Sequence, residues 1–291
     1  MIAIVSHDAG GAEILSSWLR RYQYSYCLVL DGPAKDIFRR KIGLMHITSL
    51  SNAIEQSDWI LCGTSWQSNL ERQAIKKSKR AKKKVVVFLD HWVNYSERFV
   101  ENGITEFPDE IWVGDIYAER IACSILPRAL IKLKPNPYFE DLQQEFCNTT
   151  KDFPSLKDCS VLYVCEPIRE HALIQYGDEN HLGYTEKDAL LFFLQNLNIL
   201  GFSINNIKIR PHPSESLNKY DWTKLSSPLV EIGGNKTLLE EISEADVVVG
   251  CESMAMVVGL LANRIVFSSI PPNGKSCSLP YLKIRHIQQL L

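Results

Sequence analysis

The sequence predicts an α/β protein of two Rossmann-like domains facing a cleft. Three observations carry the prediction. Short apolar runs of strand length alternate with amphipathic stretches of helix length in both halves of the chain. Glycines and polar side chains gather in the loops directly after several of those runs, where parallel sheets collect their ligands. The length, 291 residues with 45% hydrophobic and 23% charged side chains, suffices for two ordinary domains, each with its own core.

In the first half, Ile2–Ser6 reads as a buried strand, followed by a glycine turn and a helix carrying Ile14, Leu15, Trp18 and Leu19. Tyr26–Leu30, Asp58–Cys62, Val85–Leu89 and Glu110–Val113 follow as strands, with helices at Asn69–Ser78 and Ile116–Ile125 and a weaker last strand at Leu130–Leu133. Pro135 and Pro137 flank Asn136, and each proline disfavours helix in the residue before it, so regular structure is expected to stop there. The polar stretch from Glu140 to Asp158 reads as a linker, which puts the domains at residues 1–139 and 159–291. In the second half the strands are Val161–Cys165, Ile207–Arg210, Leu229–Ile232, Val247–Gly250 and Ile265–Phe267. Thr185 with Asp188 three residues later signals a capped helix running to about Leu200, and Lys236–Ser243 and Ser253–Ala262 read as further helices.

Composition narrows the function. Thirty-two basic residues against 34 acidic ones leave a formal charge of −2, which argues against a nucleic-acid partner. The eight cysteines form no CxxC pair and have no histidine at ligand spacing, so no metal site is expected. No stretch approaches the length of a membrane span, and the expected location is cytoplasmic with reduced thiols. The basic run Lys76, Lys77, Lys79, Arg80, Lys82, Lys83, Lys84 reads first as a solvated helix end and second as a peripheral contact with an anionic inner-membrane surface.

Four loops after strands carry chemistry. Ser6-His7-Asp8-Ala9-Gly10-Gly11 pairs an imidazole and a carboxylate with two glycines that let backbone approach a ligand. Its spacing is not GxGxxG, so no dinucleotide cofactor is implied. The plain alternative is a strand-to-helix turn with Asp8 as cap. Asp90-His91-Trp92-Val93-Asn94-Tyr95 gathers a base and aromatic faces for a sugar or nucleobase, or else Trp92 and Tyr95 cover the edge of the core. In Arg210-Pro211-His212-Pro213-Ser214, two prolines stiffen the chain around His212, Arg210 could neutralise a phosphate and Ser214 could cap a following helix. In Cys251-Glu252-Ser253, taken alone, Ser253 reads first as a bare helix cap and second as part of a phosphate site with the helix amides, with Cys251 a lesser possibility as nucleophile.

The segments RPHPSES and, about forty residues later, VVVGCESMAMVVGLLA resemble the C-terminal half of GT-B glycosyltransferases of bacterial surface-polysaccharide assembly, including His-Pro motif enzymes that use CMP-activated sugars. KPNPYF is similar to the end of the N-terminal domain in epimerase-like GT-B relatives. The resemblance implies that His212 and Ser253 hold the donor phosphate and that Glu166, in VLYVCEP, contacts the donor. It implies two partners, an activated sugar donor linked through a nucleotide or a pyrophosphate, and a glycan or lipid-linked acceptor. Asp8, His7, Asp90 and His91 are then the candidates for catalysis on the acceptor side, with Gly10, Gly11 and Trp92 shaping the loops. The chain has no Asp-X-Asp triplet, which points to metal-independent transfer. An epimerase or hydrolase of the same fold and a non-catalytic sugar-phosphate-binding protein are the alternatives.

Overall fold

The computed structural model describes residues 1–65, 68–101, 103–147, 157–225 and 229–291. It divides into two compact units, Met1–Asp141 and Leu142–Leu291. In the first unit the strands are β1 (Ile2–Ser6), β2 (Tyr26–Leu30), β3 (Trp59–Cys62), β4 (Lys84–Leu89), a short antiparallel pair β5 (Val100–Glu101) and β6 (Ile104–Thr105), β7 (Glu110–Val113) and β8 (Ile131–Leu133). The helices are α1 (Ala9–Arg21), α2 (Ala34–Ile42), α3 (Leu50–Gln56), α4 (Leu70–Arg80) and α5 (Ile116–Ile125), and α6 (Pro137–Cys147) starts in this unit and ends in the second. Six strands form one parallel sheet in the order β2-β1-β3-β4-β7-β8. The strand order reverses between β1 and β3, so the loops after these two strands open side by side. Every residue of β1 is buried, as is the Val85–Leu89 run of β4, because helices cover both faces of a parallel sheet.

The second unit has strands β9 (Cys159–Val164), β10 (Ile204–Arg210), β11 (Val230–Ile232), β12 (Val247–Gly250), β13 (Ile265–Ser268) and β14 (Ile284–His286). Its helices are α7 (Ile168–Tyr176), α8 (Glu186–Gln195), α9 (Leu238–Glu244) and α10 (Met254–Leu261). The parallel order β11-β10-β9-β12-β13-β14 is that of a Rossmann sheet, with the reversal between β9 and β12. Val161, Tyr163, Phe193, Ile207, Val249 and Phe267 build its core. The expected capping box is present: Thr185 accepts from the Asp188 amide while the Asp188 carboxylate accepts from the Thr185 amide.

One expectation is overturned at the end of the first unit. Regular structure does not stop at Asn136, because Pro137 opens α6. The Asn136 side chain accepts from the Tyr138 and Phe139 amides at 3.1 and 3.3 Å, and proline suits a first helical position, whose N–H has no partner to lose. The prolines that end one element therefore start the next. Residues 148–156 of the expected linker lie outside the described residues. Among the described residues no helix is long and apolar enough to cross a membrane.

Candidate functional site

In the first unit the loops after β1, β3 and β4 converge. Asp8 stands at the N-cap position of α1 but makes no side-chain cap bond, which corrects the plain capping alternative. Its Oδ1 lies 2.6 Å from His7 Nδ1 and accepts from Ser65 Oγ at 2.7 Å. His7 is braced further. Its backbone N–H donates to Glu71 Oε1 at 2.7 Å, and its ring lies over Gly32, where a Cβ would stand 2.6 Å from Nε2. Gly32 also has φ of +49°, so a side chain there is excluded twice over.

Glu71, in the first turn of α4, is 3% exposed, and its second carboxyl oxygen is buried without a partner among the described residues. Burial raises its pKa to about 7, with nearby Asp8 adding to the rise, and the His7 amide opposes it.

Asp90 joins the same cluster. A Cβ on Gly10 would lie 2.1 Å from Asp90 Oδ2, so only glycine fits there without displacing the carboxylate, and Gly11 packs its backbone on Gly63 in the loop after β3. Asp90 Oδ1 accepts from Arg98 at 2.7 Å and from Thr64 Oγ1 at 3.1 Å. Arg98 also donates to Thr64. The Arg98 guanidinium, with 9% side-chain exposure, thus occupies one oxygen of this carboxylate.

The aromatic reading of this loop is overturned. Trp92 is buried, its indole N–H donates to Asp115 at 2.9 Å, and Tyr95 is 1% exposed, so neither offers a face to a ligand. His91 is half-buried beside Trp92. Ser65, Thr64 and Glu71 went unread in the sequence, and Arg98 was read only as a residue of the Asp90 loop; the adjacency of β1 and β3 is what brings the first two in.

In the second unit, His212 Nδ1 accepts from the Ser214 amide at 3.2 Å and lies 2.8 Å from Ser214 Oγ, which in a neutral ring puts the proton on Nε2. Partial burial and the neighbouring His171 both lower its pKa, favouring that neutral ring, while Glu215 opposes them. The His212 amide donates to Glu215, whose buried carboxylate also meets Lys219 at 2.7 Å and Tyr220 Oη at 2.9 Å. Lys219 continues to Glu186, which also holds Arg169. Ser214 thus orients His212, and the next helical turn starts three residues on, at Leu217.

Arg210 requires a further correction. Its guanidinium donates to the Glu241 carboxylate at 2.6 Å and to the Lys236 carbonyl at 2.9 Å, tying β10 to α9, so no phosphate is needed to satisfy it.

Glu166 Oε1 accepts from the amides of Cys251 and Glu252 at 2.9 and 3.0 Å. Desolvation raises its pKa to about 7 against those amides, which lower it. Ser253 does cap α10, accepting from Ala255 at 3.2 Å. The Cys251 thiol is 3% exposed and burial pushes its pKa far up, which removes it as a nucleophile. His212 and Ser253 share no hydrogen bond among the described residues. In the basic run, Lys79 and Lys83 donate to the carbonyls of Phe107 and Ser57, and Lys84 pairs with Glu110.

No protein-family model matches the chain, and no curated protein matches it. Solved structures do. The UDP-GlcNAc 2-epimerase from Methanocaldococcus jannaschii superposes with a TM-score of 0.59 at 12% identity, over 92% of this chain and 83% of the epimerase. The glycotransferase of kitacinnamycin gives 0.57 at 11% identity, over 98% and 85%. At these identities the likeness is one of fold: this chain has a GT-B-like fold, two α/β units each built on a parallel sheet flanked by helices.

Proposed function

We propose that the protein is a metal-independent glycosyltransferase that moves a sugar from a nucleotide- or pyrophosphate-linked donor to a glycan or lipid-linked acceptor in surface-polysaccharide assembly. The observation that carries this reading is the His7–Asp8–Ser65 cluster at the point where the first sheet reverses its strand order, with Asp8 withdrawn from helix capping. Asp8 Oδ1 is fixed by two partners, which leaves Oδ2 to accept the proton of an acceptor hydroxyl. The hydroxyl oxygen attacks the anomeric carbon, the bond to the donor phosphate breaks, and the electron pair leaves on the phosphate oxygen. In the second unit, the neutral His212 with its proton on Nε2 suits a donor phosphate, and Glu166 suits a donor hydroxyl. Asp90, neutralised by Arg98, holds Gly10 and the start of α1 in place.

A second reading is an epimerase acting on a nucleotide sugar. Glu166, with its pKa near 7, suits proton transfer at neutral pH, and the fold is shared with the UDP-GlcNAc 2-epimerase. Incubation with a panel of activated sugars, with and without acceptor, separates the readings. Turnover that requires acceptor supports transfer, and turnover without it supports the epimerase. Binding without any turnover overturns both.

A further inference from the structure

Trp18, Trp59 and Trp112, half of the chain's six tryptophans, meet in one cluster in the first unit, with ring centroids 6.1 to 6.3 Å apart. Trp18 sits in the last turns of α1, nine residues beyond Ala9, about 14 Å along the helix from the His7–Asp8 loop. Tyr24 stacks on Trp18 with centroids 5.6 Å apart and planes within 2°, and Tyr22 tilts over it at 4.7 Å. Both tyrosines stay half exposed, at 48 and 49%, although the connection from α1 to β2 has no packing need for aromatics. Together with Arg21, Lys134 and Trp112 they line an open cavity of about 400 Å³, within the usual span of small-molecule sites.

We infer that this cavity is a glycan-binding site that takes neutral sugar rings. Flat aromatic faces with wet polar tips match a ligand that is apolar on its ring face and hydroxylated at its rim. Charge selects against the nucleotide part of a donor. The Arg21 guanidinium is already held by Asp141 at 2.7 Å, by Glu140 and by the Pro137 carbonyl at 2.8 Å, and the Lys134 ammonium lies 5.5 Å over the Trp112 ring. No uncompensated guanidinium is left to hold a phosphate. A helix-binding groove would be aliphatic and long, whereas this cavity is short, aromatic and edged with charged groups. The site uses no residue of the His7–Asp8 or His212 loops, so it stands whether or not the transferase reading does.

The test titrates the full chain with cellotetraose, chitotetraose and an α-mannotetraose, read by tryptophan fluorescence and by the indole N–H signals in NMR spectra. The expected result is saturable binding of at least one tetrasaccharide, not displaced by CMP or UMP. Replacing both exposed tyrosines, Tyr22→Ala with Tyr24→Ala, should weaken it by about tenfold with the unfolding midpoint unchanged, the loss of two aromatic contacts. Tyr24→Phe, which keeps the stacking face, should bind like the parent. Absence of binding by all three sugars, equal binding by the double variant, or displacement by a nucleotide would overturn the proposal. So would self-association of the parent chain that the double variant abolishes, since the cavity would then be filled by a second copy.

Discussion

Gly10→Ala tests whether the loops after β1 and β4 are locked together. In the first turn of an exposed helix, alanine for glycine ordinarily stabilises by up to about 1 kcal/mol. Here the added Cβ would stand 2.1 Å from Asp90 Oδ2 and 3.0 Å from its Cγ, so the carboxylate must retreat by more than an ångström. Asp90 cannot yield freely, because Arg98 and Thr64 hold its other oxygen at 2.7 and 3.1 Å. Breaking a hydrogen bond to a charged group costs about 1.5–3 kcal/mol, which outweighs the helix gain and leaves the variant about 1–2 kcal/mol less stable. Urea unfolding followed by tryptophan fluorescence reads mainly the first unit, which holds every tryptophan except Trp222. In an Asp90→Ala background the same substitution should revert to neutral or stabilising. A Gly10→Ala protein as stable as the parent, or an equal penalty with and without Asp90, would refute the latch.

Asp8→Asn should lower transfer by about 10²- to 10⁴-fold with donor affinity unchanged, while Asp90→Asn should affect folding stability more than rate; near-normal turnover in Asp8→Asn would remove it as base. His212→Ala should weaken donor binding by about 1–3 kcal/mol, which calorimetry on the folded variant checks. For Glu71, whose folded pKa near 7 exceeds its unfolded value, the folded state holds the extra proton, so its stabilising share is full below about pH 4.5 and lost as pH rises through 7. Glu71→Gln keeps an acceptor for the His7 amide and should be more stable than the parent above pH 7 by up to about 3 kcal/mol, the two converging near pH 5; parallel stability curves from pH 5 to 8 would contradict the buried proton. Turnover should persist in EDTA, and its loss with recovery on adding magnesium would replace the metal-independent mechanism.

The strands were legible because both faces of each parallel sheet are covered, which makes Ile2–Ser6 or Val247–Gly250 continuous apolar runs with sharp ends. Helices α2 and α3 were not, since in Ala34–Ile42 charged residues outnumber the apolar stripe of Ala34, Ile37, Phe38 and Ile42, and Leu50–Gln56 is only seven residues long. The site was half legible for a similar reason. His7 and Asp8 stand out as polar residues ending a buried strand, but Thr64 and Ser65 are ordinary loop residues until the order β1-β3-β4 sets them beside Asp8 and Asp90. Arg210 was read toward a phosphate from its place beside His212 in the sequence, but it is the last residue of β10 and turns to Glu241, while His212 lies beyond the strand in the proline loop.

Glu166 changes what the start of α10 can do. A helix N-terminus attracts anions because its first amides lack acceptors, but here the amides of Cys251 and Glu252 already donate to a carboxylate of the same chain. A donor phosphate could reach them only by displacing Glu166 or by sharing the site with its charge. Burial, which raises the Glu166 pKa to about 7, eases the second course, since a protonated carboxyl is a donor as well as an acceptor. His212 has no such rival among the described residues: its hydrogen bonds there fix Nδ1 and leave the Nε2 proton, and the Glu215–Lys219–Glu186 network braces the loop. Of these candidates His212, oriented by Ser214, therefore keeps a proton to donate, while Glu166 already fills the amides at the start of the α10 loop.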